Sequence, residues 1–238
     1  MMGIPAFNHP NRLSLSQLSD EFVTRMTMGC CRNSSSLSEV VLGMRDFSMF
    51  ELAIKLAQAA HADKLGSVNH ISRRDFEERE TFAFRTVLPT LEYASLMIES
   101  ALLLRTNRTG RVYAGFEKLS KMEPVADRFL RIADVSERVY VFGVPDWQPP
   151  RHPHLKAVPL SESMKLASEL FLIADSSTLE VALCARDEDS AEITDLERHR
   201  FSAVKTSDRG IVSQLAAAAE KLVDVLHESR SLRSEARG

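Results

Sequence analysis

Cysteine, glycine and long apolar runs are all scarce in this chain, and each shortage removes a class of function. Its three cysteines, Cys30, Cys31 and Cys184, are too few for a disulfide scaffold and cannot supply four thiolates to a zinc ion, a usage that fits a reducing cytoplasm. The nine glycines are so thinly spread that only Gly110 and Gly115 are near neighbours, and neither a dinucleotide fingerprint nor a P-loop can be written from them. The longest apolar stretches, at 170–174 and 181–185, are about a quarter of the roughly 20 residues that a membrane span requires. The N-terminus has two early prolines and no apolar run of secretory-signal length, so neither secretion nor membrane insertion is expected. Thirty Lys and Arg stand against thirty-three Asp and Glu, a net charge of −3 that offers no field for nucleic acid. No G-x-S-x-G occurs either, so the sequence assigns no catalytic residue and no cofactor.

What is present is an ordinary core-forming composition, 44% hydrophobic, and a clear change of periodicity along the chain. Leu15, Leu18, Phe22 and Met26 predict a short helix, and Asn33-Ser34-Ser35-Ser36 a linker after the Cys30-Cys31 pair. Asp46 is placed to cap a second helix whose apolar face carries Met49, Phe50, Ala53, Ile54, Ala57 and Ala60. The stretch 72–85, charged in both signs around Phe76, Phe82 and Phe84, predicts a solvated helix. Pro89 and Thr90 open a stronger one, with Leu91, Ala94, Ser95, Ile98 and Leu102 on one stripe.

Beyond Gly110 the pattern becomes extended. Val112-Tyr113-Ala114-Gly115-Phe116, a helix through Phe129 and Ile132, then Val139-Tyr140-Val141-Phe142 have the order of a crossover unit with parallel strands. The segment 144–159, with five prolines, predicts a loop; strands are expected at 157–160, 169–174, 179–185 and 201–205, with a charged excursion over 186–199. Asp208 caps a last helix in which Ile211, Leu215, Leu222 and Val225 follow heptad spacing; a seam for another helix and a face laid on the chain's own sheet are both open. The fold class is therefore mixed α/β: a central sheet of about five to six strands flanked by helices, with an N-terminal helical arm and a long C-terminal helix.

Three clusters invite chemistry. Asp146, His152 and His154 are a ligand-like set for a metal-dependent enzyme, though no further ligand follows at regular spacing and no metal is assigned. Cys30-Cys31 is a vicinal pair able to act as a redox switch or to pack near a helix end, while Cys184 lies in a strand pattern and should be buried and inert. Phe116, Glu117, Arg128 and Tyr140 could line a small-molecule pocket between sheet and helix, where Arg128 would meet an anion; an Arg128–Glu117 ion pair is the structural alternative.

Taken together, residues 88–205 resemble the DICT sensory family, a module of diguanylate cyclases and two-component proteins. The residues that carry the resemblance are the helix ending in Ile98-Glu99, Ala114-Gly115-Phe116-Glu117, Arg128-Phe129, Val139-Tyr140-Val141-Phe142-Gly143, Leu166-x-x-Glu169-x-Phe171-Leu172-Ile173, the strand 179–185 and Arg200-Phe201. The chain departs from the family in having Glu117 for Gln, Phe129 for Tyr and Leu170 for Trp. The resemblance implies signal input without catalysis. The expected organisation is an N-terminal helical extension (1–80), a DICT-like sensory domain (81–206) and an amphipathic C-terminal helix (207–238). With no output segment recognised, the protein is expected to act as an adaptor through contacts with a histidine kinase, a diguanylate cyclase or its own copy, with a small-molecule signal as an option.

Overall fold

The computed structural model describes residues 44–104, 108–188 and 199–235, the last stretch as helix backbone alone beyond Glu228. The chain divides into two units, Met1–Val40 and Val41–Gly238, and all described residues lie in the second. The expected helix at 15–26, the Cys30-Cys31 pair, the linker at 33–36 and most of the charged excursion lie outside the described residues.

One sheet of eight strands organises the second unit: β1 (Asp63–Ser67), β2 (Thr81–Val87), β3 (Arg111–Lys118), β4 (Arg138–Val144), β5 (Leu155–Pro159), β6 (Glu169–Ser176), β7 (Leu179–Asp187) and β8 (Arg200–Thr206). Their spatial order is β1-β2-β8-β7-β6-β3-β4-β5. The three strands β3, β4 and β5 run parallel, as the crossover pattern predicts, and β2, β8, β7, β6 and β3 pair antiparallel in succession. The helices are α1 (Met49–Ala59), α2 (Arg73–Glu78), α3 (Leu88–Leu103), α4 (Ala126–Asp134) and α5 (Arg209–Glu235), with a 3-10 segment at Leu119–Val125 leading into α4.

Two strands exceed the count expected from sequence. The helix expected over 72–85 is only α2, capped by Ser72; from Thr81 the chain extends, and Phe82 and Phe84 point into the core while Arg85 faces water. The alternating period of Phe82, Phe84 and Thr86 outweighs the helical content of the charged flanks. β1 is an exposed edge whose residues bury almost nothing, and it exists through its parallel pairing with β2. On the proline-rich segment, β5 also forms an edge, pairing only with β4, a position where Pro159 disturbs no second ladder.

Alternation along the strands creates two cores. Val112, Ala114, Val139, Val141, Leu172, Ala174 and Leu183 turn to the face covered by α3 and α4, where Leu91, Ala94, Ile98, Leu102, Phe129 and Ile132 meet them. α1 and α5 pack on the sheet's other face and on each other. α1 begins at Ser48, whose hydroxyl accepts from the Glu51 amide at 2.9 Å, not at Asp46. Its buried residues are Met49, Phe50, Ala53, Leu56 and Ala57, while Ile54 is half-buried and Ala60 exposed. α5 is capped by Asp208, which accepts from the Ile211 amide at 2.9 Å. Cys184 is buried, and burial pushes its thiol pKa far up.

Where β8, β2 and α2 meet, Lys205 is 2% exposed. Its ammonium donates to the Arg79 carbonyl at 2.6 Å and to Ser207 Oγ at 3.1 Å, and lies 5.2 Å from the ring centre of Phe76 and 5.8 Å from that of Phe82. Burial lowers its pKa to about 8, against the opposing pull of the Glu80 carboxylate. The unfolded chain therefore binds more protons than the folded one between about pH 8 and the ordinary lysine value of 10.5, and Lys205's contribution to stability rises across that window. Denaturant titrations of wild type and Lys205→Met should show the difference moving toward the wild type from pH 8 to 10. A difference independent of pH would mean that the ammonium loses no protonation free energy on folding.

Candidate functional site at the junction of the sheet and the last helix

β3 and β4 place Tyr113 and Tyr140 side by side in parallel register on the face beneath α5. Their rings stack 5.5 Å apart at an interplanar angle of 9°. Both hydroxyls converge on one carboxylate of α5: Tyr113 donates to Glu220 Oε2 at 2.6 Å, and Tyr140 to Oε1 at 3.4 Å. Arg111, at the start of β3, reaches Oε1 at 3.1 Å. Burial, followed by the Glu220 carboxylate, raises both tyrosine pKa values, so both phenols remain protonated donors at neutral pH. The Arg111 pKa is raised by its hydrogen bond with Tyr113 and then by Glu220. Two phenols and a guanidinium thus hold the last helix by a single charged group.

Beside this junction a cleft of about 180 Å³ opens between the β4–β5 edge and α5, lined by Tyr140, Lys156, Val158, Pro159, Val223 and His227 among others. A flat aromatic wall, an apolar floor and a lysine suit a small anionic or aromatic molecule.

Of the four pocket residues expected from sequence, the structure brings two together and separates the others. Phe116 packs edge-on against Phe129 at 5.5 Å on the α3–α4 face. Arg128 stands on the same side, pairing at 2.6 Å with Glu99 of α3. Glu117 points to solvent at the end of β3, so the expected Arg128–Glu117 pair is corrected to Arg128–Glu99. Glu99 is 6% exposed; burial raises its carboxyl pKa although Arg128 pulls the other way. Arg128 and Arg131 line a groove of about 300 Å³ with Leu103, Pro124, Val125 and Asp127. Tyr140 lies through the sheet from all of these, so of the four only Arg128 and Tyr140 line a depression, each a different one.

In α5, Ile211, Leu215 and Leu222 are each 1% exposed or less, spent on the chain's own second core; Val225 is half-buried. Val212, Ala216, Ala219 and Val223 are buried with them, giving the broad double row of a helix lying on a sheet in place of a narrow coiled-coil seam. His152 and His154 stand side by side, with ring centres 5.8 Å apart, but Asp146 does not join them. Asp146 accepts from the Ser120 amide at 2.9 Å and from its hydroxyl, which lowers its pKa; His152 meets Asp134 at 3.1 Å, and His154 meets Arg108 at 3.1 Å. Among the described residues no three His, Cys, Asp or Glu side chains are grouped to hold a metal ion, and no helix is long and apolar enough to cross a membrane.

Glu220, Tyr113 and Arg111 at this junction, and Glu99 on the other face, are site residues that sequence reasoning missed. Glu220 directly follows an apolar and small-residue run, Leu215 to Ala219, and an acid so placed is a signal that a donor faces it. Glu99 follows Ile98 on the buried stripe of α3, which should have paired it with the next basic helix.

No curated protein matches the chain. Among solved structures, a polyphosphate kinase from Porphyromonas gingivalis is similar over 65% of this chain and 29% of that one, with 10% identity and a TM-score of 0.43, and nothing is carried over from it. Residues 84–188 match the family described as a sensory domain in diguanylate cyclases and two-component systems. That segment runs from the middle of β2 through β7 and contains the Ala114-Gly115-Phe116 and Glu169-x-Phe171 motifs, while α1, β1, β8 and α5 lie outside it. Over residues 84–188, therefore, this chain matches the DICT sensory-domain family.

Proposed function

We propose that the protein is a cytoplasmic sensory adaptor without catalytic activity of its own, transmitting a signal from the DICT sheet to a partner through α5. The observation that supports this most directly is the grip of Tyr113, Tyr140 and Arg111 on Glu220, beside a cleft lined by Tyr140 and by α5 itself. A small molecule in that cleft would compete for the same donors and change the hold on the helix. From Asp224 to Glu228 no side chain of α5 is buried, and the helix continues to Glu235, so this end is the surface offered to a histidine kinase, a diguanylate cyclase or a second copy. The domain boundaries read from the sequence, with 207–238 as the coupling element, belong to the same proposal.

Glu220→Gln weakens three charge-assisted contacts without altering shape, at a cost of about 2 kcal/mol. Amide exchange over residues 209–228 should accelerate about 30-fold, while exchange in β6 and β7 changes little. Native mass spectrometry of the full chain from its own host should show a small molecule that departs on denaturation and that Tyr140→Ala abolishes. Unchanged exchange in α5 would sink the coupling role, and absence of any bound molecule would sink the cleft as the input.

A further inference from the structure

α3 carries a second stripe, on the side away from the core, that nothing among the described residues covers. Tyr93 is 40% exposed, Leu96 38% and Leu104 81%, the three large apolar side chains most open to water. Ser100 is exposed between them and Leu103 is half-buried. The spacing 93, 96, 100, 103 alternates steps of three and four, the repeat by which one helix seats on another. His70 stacks on Tyr93 with ring centres 6.2 Å apart and orients its ring.

The stripe is self-complementary. About a two-fold axis passing at the level of Ile98, an antiparallel copy would set Tyr93 against Leu103 and Leu96 against Ser100, each pair equidistant from the axis, about 7.5 Å for the outer one at 1.5 Å per residue. Large side chains meet small or recessed ones at both levels. Leu103 is also one wall of the groove of about 300 Å³ that holds Arg128 and Arg131, so a Tyr93 ring from the other copy would enter a depression already present. Charge agrees with this register. Glu92, beside Tyr93, and Arg131, on the groove rim, are both exposed, and neither makes an ion pair among the described residues. In the antiparallel arrangement each Glu92 approaches the other copy's Arg131, twice by symmetry, and the Tyr93 hydroxyl can donate to Asp127.

We infer that a second copy of this chain docks on α3, pairing the two helices antiparallel with Tyr93 seated in the Arg128–Arg131 groove. This interface is separate from the coupling end of α5 and does not rest on the adaptor reading; it would leave α5 of both copies free for a partner.

Sedimentation velocity on the full chain tests it. A dimer is expected at about 50 µM, with Leu96→Arg weakening association more than about 30-fold. Glu92→Arg and Arg131→Glu should each weaken it about fivefold, and the combined swap should return it to within about twofold of wild type. All three positions are solvent-facing or on the groove rim, so circular dichroism and melting should be unchanged and report that the variants fold. A monomer at that concentration, a dimer indifferent to Leu96→Arg, or a charge swap that fails to restore association would each overturn the inference. So would a dimer lost on substituting the α5 end in place of α3.

Discussion

Gly115→Ala should destabilise the domain by about 3 kcal/mol, against the direction that strand propensity alone would give. Glycine in a strand interior is ordinarily the weaker choice by about 0.5–1 kcal/mol, so an added methyl would be expected to help. Here the opposite strand forbids it. Gly115 of β3 pairs directly with Phe171 of β6, and the Phe171 ring lies across the glycine: a Cβ at 115 would stand 2.1 Å from Cε1 and 2.3 Å from Cδ1. The ring has little room to withdraw, since Phe171 is 4% exposed and packs at 5.5 Å on the fully buried Phe142. Either the ring leaves its rotamer or the β3–β6 ladder opens at the centre of the sheet. The check is a double-mutant cycle by urea unfolding. In a Phe171→Leu background, Gly115→Ala should cost less than about 1 kcal/mol, a coupling of about 2 kcal/mol between the two positions. Additive losses would mean that the glycine is required by the backbone and not by the ring.

This pair also accounts physically for two of the motifs by which the sequence resembles the DICT family. Ala114-Gly115-Phe116 and Glu169-x-Phe171 stand far apart in the chain but form one cross-strand contact, ring over glycine, in the middle of the sheet. Such positions were legible because strong short-range patterns carried them: the runs at 112–116, 139–142 and 179–185 are short, nearly continuous apolar stretches, as expected of strands covered on both faces. β1 was not legible, because Asp63-Lys64-Leu65-Gly66-Ser67 has no apolar alternation and is recruited by the free edge of β2. β2 was hidden by Arg79, Glu80 and Arg85, whose charges suit a helix surface as well as a strand's exposed face. In α5, heptad spacing was real but incomplete as a description. Val212, Ala216 and Ala219 form a second buried row, and only a wide face of that kind lies flat on a sheet. The Arg128 partner was misassigned for a related reason: Glu117 is near in a one-dimensional sketch of strand and helix, but Glu99 is on the helix that packs beside α4.

The segment matched to the DICT family does not close its own sheet. β8, from beyond that segment, lies between β2 and β7 and hydrogen-bonds to both, so β2 meets the rest of the sheet only through it. Residues 200–206 are thereby structural partners of the sensory segment, and α5 follows β8 after only the turn at Ser207 and Asp208. A change in sheet packing has a short covalent path into the helix proposed as the coupler, which favours placing that role at the C-terminal end.

Glu169→Ala should be as damaging as the glycine substitution, lowering stability by about 3 kcal/mol and the melting temperature by about 8 °C. Glu169 opens β6 and is 1% exposed, yet its carboxylate is fully engaged at the start of α1. Ser48 Oγ donates to Oε1, and the Phe50 amide donates to Oε2 at 3.1 Å. Around this contact, Arg186 of β7 lies 5.0 Å over the Phe50 ring and pairs with Glu51 at 3.1 Å. An acid of the sensory sheet therefore supplies the negative charge that the N-terminus of α1 favours, and removing it strands a buried hydroxyl and a buried amide. Burial is the largest influence on the Glu169 carboxyl and raises its pKa, with the Ser48 and Phe50 hydrogen bonds and Arg186 opposing. Because the folded value exceeds the unfolded one, the stability Glu169 contributes by remaining protonated is fully present below the ordinary glutamate range and declines as pH rises through the folded value. Glu169→Gln does not titrate, so the wild type's advantage over it should narrow as pH increases from about 4 toward neutrality. Amides 49–53 should exchange faster in Glu169→Ala than in wild type, with α3 and α4 little changed. If those amides keep their protection and the melting temperature moves by less than about 2 °C, α1 is held by its apolar face alone, and Met49, Phe50, Ala53 and Leu56 suffice to dock it.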